Sequence, residues 1–313
     1  MLGASIVAFT IMHVAPGSPW NREGRQLNPE VVERLNEELG LDQPLPMQYL
    51  AWLGRILQGD FGVTMSTDPQ EANDFILASL GPTLILCGLA FGVALALGVP
   101  LGLVAALRHG STMGWGATGA SLLGMALPAF ALGGFLLLFF PEPYRFPSGP
   151  FGPPPEAPQD IMQVALHQYV LPVIALAGLP LAVIARSTKA NVLEVLHSDY
   201  VRTAQSKGLR EEHIVRVHLL RNALVPLLTV AGTVLALLIT GSIVVERVFD
   251  IPGLGNLYYW SIRGRDYALL MGITVIYAFV VALINALVDV AYGVIDPRIR
   301  DGILAPSAAG SRG

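Results

Sequence analysis

Five apolar runs, about Ser79–Leu107, Ala117–Phe140, Tyr169–Ala185, Leu224–Val245 and Tyr267–Val294, govern what this chain can become. Each approaches the roughly 20 apolar residues that a helix needs to cross a bilayer. A helix suits that medium because it pairs its own backbone N–H and C=O groups where no water can. The third run is the shortest and contains Pro172 and Pro180. A sixth, Leu2–Ala15, is short and has no basic residue ahead of it, so it reads as an abbreviated first span rather than a signal peptide. Only 13% of the residues are charged, against about 25% in soluble domains. The expected fold is all-α, a polytopic membrane protein with six transmembrane helices.

Charge distribution orients those spans. Arg186, Lys189, Arg202, Lys207, Arg210, Arg216 and Arg221 crowd one loop, Arg108 marks another, and Arg298, Arg300 and Arg312 lie in the tail. Residues 16–78, by contrast, carry four arginines against ten acids. Basic loops stay in the cytoplasm. Residues 16–78, 141–167 and 246–266 then fall outside, and both termini inside. The chain divides into a first short transmembrane helix (1–15), an extracytoplasmic helical segment (16–78) and a membrane core (79–313) that includes a cytoplasmic loop at 186–224.

The outer segment carries helix signals. Asn28 followed by Pro29 is a start, a side-chain cap and then a residue with preset φ. Val31, Val32, Leu35 and Leu39 make one apolar face, and Gly40 supplies a left-handed stop. A second helix is expected from Met47 to Gln58, with Tyr49, Leu50, Leu53, Ile56 and Leu57 on one side and Gly59 ending it. Such amphipathic helices pack on the protein or lie at the membrane interface. The eight prolines of Pro141–Pro158 rule out a helix there. In the last outer loop, Pro252, Gly253 and Gly255 predict a turn. Tyr258, Tyr259 and Trp260 form an aromatic belt, which suits a short interfacial helix.

Within the spans, Gly88/Gly92 and Gly98/Gly102 are small-x-x-x-small pairs that let helices approach closely. Asp289, with Asn285 one turn earlier, reads as the one carboxylate inside a span. The single Cys87 excludes an intrachain disulfide. His13, His109, His167, His197, His213 and His218 lack metal-ligand spacing.

Between the third and fourth of the five long runs lies a polar insert, Asp199-Tyr200-Val201-Arg202-Thr203-Ala204-Gln205-Ser206-Lys207-Gly208-Leu209. Its first helix is expected to end at Lys207, with Gly208 at C′ and Leu209 closing the turn. Glu211 and Glu212 then open a second helix at the positive end of its dipole. This insert resembles the cytoplasmic "EAA" loop of ABC importer permeases, in the variant of the dipeptide/oligopeptide branch. His218, Arg221, Asn222, Ala223, Leu224 and Pro226 continue that pattern. Arg202-Thr203 stands where the general loop has Glu-Ala, which is the peptide branch's own form. Further matches are Ala15-Pro16-Gly17, Leu39-Gly40-Leu41-Asp42-Gln43-Pro44-Leu45, Gly59-Asp60-Phe61-Gly62, Pro252-Gly253-Leu254-Gly255, Arg265-Asp266-Tyr267 and Asp296-Pro297-Arg298.

The resemblance implies the type I ABC importer transmembrane fold and a permease without enzymatic activity. It implies import of di- or oligopeptides across a bacterial or archaeal plasma membrane. It implies as partners a second homologous permease, two ABC ATPases, an extracytoplasmic solute-binding protein and membrane lipid, with no nucleic acid. It further implies that Tyr200, Arg202, Thr203, Ala204, Lys207, Gly208 and Leu209 contact an ATPase, while Arg221, Asn222 and Pro226 return the chain to the membrane. The chain has no phosphate-binding Gly-x-x-x-x-Gly-Lys-Ser/Thr loop, so ATP and magnesium are expected on the partner ATPases and no cofactor on this chain. Nickel chelates, glutathione or oligosaccharides are alternative cargoes for the same machinery. A secondary transporter or channel would need inverted repeats and buried charges, and an intramembrane enzyme a paired nucleophile and base.

Overall fold

The computed structural model describes residues 2–14, 42–65, 70–140, 166–207 and 220–295, with positions 33, 36 and 40 besides. The helix expected after Asn28-Pro29, the proline-rich loop, the hairpin tip from Gly208 to Leu219 and the Asp296-Pro297 tail lie outside the described residues. Those described form helices α1 (Leu2–Val14), α2 (Leu45–Leu57), α3 (Ala72–Leu107), α4 (Thr112–Ala126), α5 (Ala129–Phe139), α6 (Val170–Leu196), α7 (Asp199–Ser206), α8 (Leu220–Phe249), α9 (Leu254–Gly264) and α10 (Tyr267–Ile295). A 3-10 turn at Leu166–Tyr169 leads into α6.

Among the described residues, four stretches are long and apolar enough to cross a membrane: Ala72–Leu107, Leu166–Leu196, Pro226–Phe249 and Tyr267–Ala291. The pair α4 and α5 makes a fifth if counted as one span, but it is bent by 91°. A straight helix over Ala117–Phe140 is therefore corrected. Pro128, which has no N–H to donate, interrupts the ladder. The described part of the first run, α1, is 13 residues long, or roughly 20 Å at 1.5 Å per residue, short of a full crossing. The proline-bearing run is longer than expected. Pro172 falls in the first turn of α6, where no donor is lost, and Pro180 is carried inside the helix.

The chain forms two compact units, each drawing on several of the long helices. The first comprises residues 1–86, 133–172 and 239–280. Here Trp52 of α2 is buried among Phe9 of α1 and Met271 of α10, flanked by Tyr49, Leu53 and Ile56. The Phe9 and Tyr49 rings meet edge to face at 5.3 Å, and the Ser5 and Tyr49 hydroxyls hydrogen-bond at 2.9 Å. The buried face of α2 thus turns on Trp52. Leu50 and Leu57, expected on that face, are 65% and 81% exposed.

A tight connection joins α2 to α3 in the same unit. Gly59 takes φ +79°, where a side chain would be strained. Asn73 clamps the turn from both sides: Oδ1 accepts from Phe61 N at 2.8 Å, and Nδ2 donates to the Gly59 carbonyl at 2.7 Å. Asp266, 4% exposed, accepts Met65 N at 2.8 Å through Oδ2 and Leu269 N at 3.1 Å through Oδ1. It caps α10 and ties the Val63 region to it. The Gly59-Asp60-Phe61-Gly62 and Arg265-Asp266-Tyr267 motifs are thereby joined.

The second unit comprises residues 87–132, 173–238 and 281–313. Close helix crossings dominate it. A Cβ on Gly98 would stand 3.0 Å from the Leu181 carbonyl oxygen, and one on Gly102 would collide with the Ala185 carbonyl and with Thr188. Past these, Ala106 and Val192 share an apolar core with Leu103, Leu193 and Val195. Gly88 and Gly92 differ: nothing in the structure lies within 4 Å of a Cβ at either. Of the two glycine pairs, Gly98/Gly102 is the one that packs against other described residues of this chain.

Candidate functional site

The polar insert begins as the sequence leads one to expect. Asp199 opens α7 at the positive end of its dipole. The helix ends at Ser206, with Lys207 N still reaching the Thr203 carbonyl at 3.2 Å. Thr203 Oγ1 bonds back to the Asp199 carbonyl at 2.9 Å, and Thr203 and Lys207 are exposed. Val201 has the opposite fate. It is wholly buried, packed against Val195 of α6. The short helix is therefore seated on the long one by an apolar contact, and Ser198 Oγ, donating to the Val195 carbonyl at 2.5 Å, tightens the corner between them.

Of the other residues picked out here, Tyr200, Arg202 and Ala204 lie on the backbone of α7 and Arg221 and Asn222 on the first turn of α8, while Gly208 and Leu209 fall outside the described residues. Pro226 is exposed inside α8. Lys189, another member of the basic cluster, is half-buried and donates to Thr118 Oγ1 of α4 at 3.0 Å.

A second polar constellation, in the first unit, was not visible in the sequence. Glu246 reads there as the first residue of an outer loop, and Asp289 as the one carboxylate inside a span. The structure corrects the first and leaves Asp289 inside its span, Tyr267–Ala291, though no longer as the one carboxylate in such a segment. Helix α8 continues through Glu246 to Phe249, and Glu246 is wholly buried, whereas Asp289 is exposed on α10. Burial of a carboxylate demands donors, and Glu246 has four. Oε1 accepts from Thr83 Oγ1 at 2.9 Å and Ser242 Oγ at 2.8 Å, and Oε2 accepts from Gly255 N at 2.7 Å and Asn256 N at 3.3 Å.

Those amides belong to the first turn of α9, whose own cap residue, Gly253, has no side chain to offer. Thr83 Oγ1 accepts the N–H of Leu254 at 2.8 Å. The orphan donors that every helix start exposes are thus satisfied here by residues from two other helices. Glycine is required at 253 and 255 because a Cβ at either would run into the Glu246 carboxylate. The signal that could have revealed this was the pairing of an acid at the end of an apolar run with a nearby Pro-Gly-Leu-Gly.

Beside this knot, Arg247 pairs with Asp250 at 3.2 Å, and Asn256 Nδ2 donates to Asp250 Oδ1 at 2.9 Å. The Arg247 guanidinium lies 4.7 Å from the Tyr259 ring centre and 4.8 Å from that of Trp260, within cation–π range. Asp250 adopts φ 57°, which aspartate tolerates better than most residues, and the turn is closed by Ile251 N to the Glu246 carbonyl at 2.8 Å. Arg263, donating to the Tyr259 hydroxyl at 3.4 Å, holds that phenol below its ordinary pKa. The aromatic belt residues therefore do stand on a short helix, as expected.

Such an arrangement, apolar helices crossing on glycine and a polar elbow seated on one of them, is that of a polytopic membrane protein, and comparison with known proteins makes it a transport component. Residues 98–301 match the family described as binding-protein-dependent transport system inner membrane component, and residues 1–71 match its N-terminal counterpart. The chain belongs to this family, whose members are permease components of ABC importers and work with ATPase and solute-binding partners. It is 38% identical over 301 residues to the dipeptide transport system permease protein DppB of Bacillus subtilis, covering 96% of this chain and 94% of the relative. The oligopeptide transport system permease protein AppB of the same organism is 36% identical, with 96% and 95% covered. A putative peptide permease protein of Brucella suis is also 36% identical, with 96% and 95% covered. Among solved structures, the MetNI methionine ABC transporter superposes with a TM-score of 0.57 at 17% identity, over 71% of this chain and 96% of that one. That likeness concerns the fold alone.

Proposed function

We propose that this chain is the membrane-spanning subunit of an ATP-driven importer that carries short peptides handed over by a solute-binding protein. The observation that carries the cargo is the similarity, along nearly the whole chain, to permeases named for dipeptide and oligopeptide transport. A second, similar permease completes the pathway, and two ATPases bind ATP and magnesium beneath it. Both termini lie in the cytoplasm, in keeping with the basic loops.

In this reading, residues 199–209 form the elbow that one ATPase grips through Tyr200, Arg202, Thr203, Ala204, Lys207, Gly208 and Leu209. Arg221, Asn222 and Pro226 carry the displacement into α8. A lever must be stiff, or closure of the ATPases is absorbed before it reaches the membrane. The buried Val201–Val195 contact supports that requirement. Reconstituted with its binding protein and ATPases, the complex is expected to take up radiolabelled dipeptide only with ATP. The Gly208→Pro variant should still insert and assemble but lose substrate-stimulated ATP hydrolysis. Uptake by this chain alone in vesicles without ATP would overturn the assignment, and undiminished stimulation in the variant would overturn the elbow's role.

A further inference from the structure

The break between α4 and α5 lies within the second unit's packed helices, at a depth the glycine crossings reveal. Gly124 of α4 meets Gly178 of α6 so closely that a Cβ on Gly124 would strike the Gly178 carbonyl. Less than one turn along α6, the Leu181 carbonyl crowds Gly98 of α3, well inside the apolar run that ends at Leu107. The 15 residues of α4 rise about 22 Å from the turn at 108–111, short of the roughly 30 Å hydrocarbon core. The chain therefore loses its helix inside the span.

Three facts make that interruption unusual. Its bend of 91° is far sharper than the gentle curvature of an unbroken helix. Its residues face outward: Met125, Leu127 and Phe130 are 45%, 47% and 54% exposed, and Ala126 and Pro128 are exposed as well. Its backbone is incompletely paired. Pro128 brings no N–H, and the amides of Ala131 and Leu132 both turn to the Pro128 carbonyl at 3.0 Å. The carbonyls of Met125 and Ala126 are left at the negative end of α4 with no helical donor following them. Lipid cannot solvate such groups, so irregular backbone at this depth belongs where it is buried in protein or lines water. Among the described residues, the side chains at 125–128 and Phe130 are exposed.

We propose that the interruption between Ala126 and Ala129 is a water-lined contact point on the translocation route, where the Met125 and Ala126 carbonyls accept N–H groups of the passing peptide. The inference rests on the peptide-importer reading above and names the part of this chain that touches cargo. Main-chain acceptors recognise what all peptides share, amide N–H groups and a terminal ammonium. Met125 and Leu127 beside them offer an adaptable apolar wall for differing side chains.

The test uses the complete transporter in membranes, with Cys87→Ala as background and Met125→Cys, Leu127→Cys and Phe130→Cys introduced singly. A charged, membrane-impermeant thiosulfonate is expected to modify these positions. Dipeptide supplied with saturating binding protein should slow modification in proportion to occupancy of the break, about 10-fold where it is nine-tenths occupied. Cysteines that react with a permeant maleimide only after denaturation would mean that lipid or the second permease seals the break, and the proposal fails. Modification at the same rate with and without peptide would mean a wet site that cargo does not touch, and it fails again. Dipeptide uptake by the parent complex is measured in parallel. Uptake with unprotected labelling overturns the placement alone, whereas no uptake at all overturns the cargo reading itself and the acceptor role with it.

Discussion

Thr83 of α3 donates to the Glu246 carboxylate at 2.9 Å across 163 residues of sequence, and the same hydroxyl accepts the N–H of Leu254 at 2.8 Å. One side chain thus serves as donor to a buried acid and as cap to a helix. Together with Ser242 it lets α8 carry a carboxylate in an apolar setting, while the carboxylate holds the start of α9. Remove either partner and the other is left with an unmet polar demand in a place that water does not reach.

Thr83→Val keeps the shape but removes both bonds. It is expected to cost about 1–3 kcal/mol, the usual penalty for a buried group left unsatisfied. Glu246→Gln, which keeps one oxygen for the two backbone donors but turns an NH2 toward the Thr83 and Ser242 hydroxyls that now donate to Oε1, should fall in the same range. Because the two share one network, the double variant should lose less than the sum. Thermal unfolding of the purified complex reads all three, and strict additivity would show that the residues act independently.

The glycine positions divide into two classes with opposite expectations. Gly102→Ala and Gly124→Ala put a Cβ into a neighbouring carbonyl oxygen and should destabilise or block assembly, since two backbones must separate. Gly88→Ala and Gly92→Ala meet nothing within 4 Å and should be neutral or gain up to about 1 kcal/mol from the lower backbone entropy of alanine. Expression level and melting temperature in detergent distinguish the classes. A second permease seated on Gly88 and Gly92 would reveal itself by making those substitutions harmful as well.

Asp266→Ala removes the cap of α10 and the anchor of Met65 together. A lost cap alone costs about 1 kcal/mol. Loss of the tie to Met65 should show as faster proteolytic cleavage near residues 62–71, with α10 still membrane-inserted. Unchanged cleavage would mean that the Asn73 clamp suffices to hold the connection.

Val201→Ala loosens the seat of α7 on α6 without touching its exposed face. Burying a valine is worth about 1.5–3 kcal/mol, and part of that is forfeited. If α7 transmits force, ATP hydrolysis in the assembled complex should continue while dipeptide uptake per ATP falls. An unaltered ratio of uptake to hydrolysis would argue that the seat has no mechanical part.

Much of this was readable from residues taken in order. Apolar length alone located the long helices, because a bilayer demands about 20 residues of one character. Chain-local chemistry placed the elbow helix at Asp199 and the stop at Gly59. It failed at Glu246, where an acid was taken to end the span. The carboxylate's solvation comes from Thr83, Gly255 and Asn256, and no local rule relates residue 83 to residue 246. The buried face of α2 was misjudged for a similar reason: Leu50 and Trp52 both suit an apolar stripe, and only Phe9 and Met271 decide between them.

What the sequence determines by itself is which segments cannot remain in water, where local signals such as Asp199 and Gly59 start or stop a helix, and the charge bias between its loops, since each depends on neighbours a few residues away. What only the tertiary structure decided is which glycines carry helix crossings, how a buried glutamate is satisfied, and that one span is broken at Pro128 with its backbone facing outward. Those outcomes depend on donors, carbonyls and empty space contributed by segments far apart in the chain.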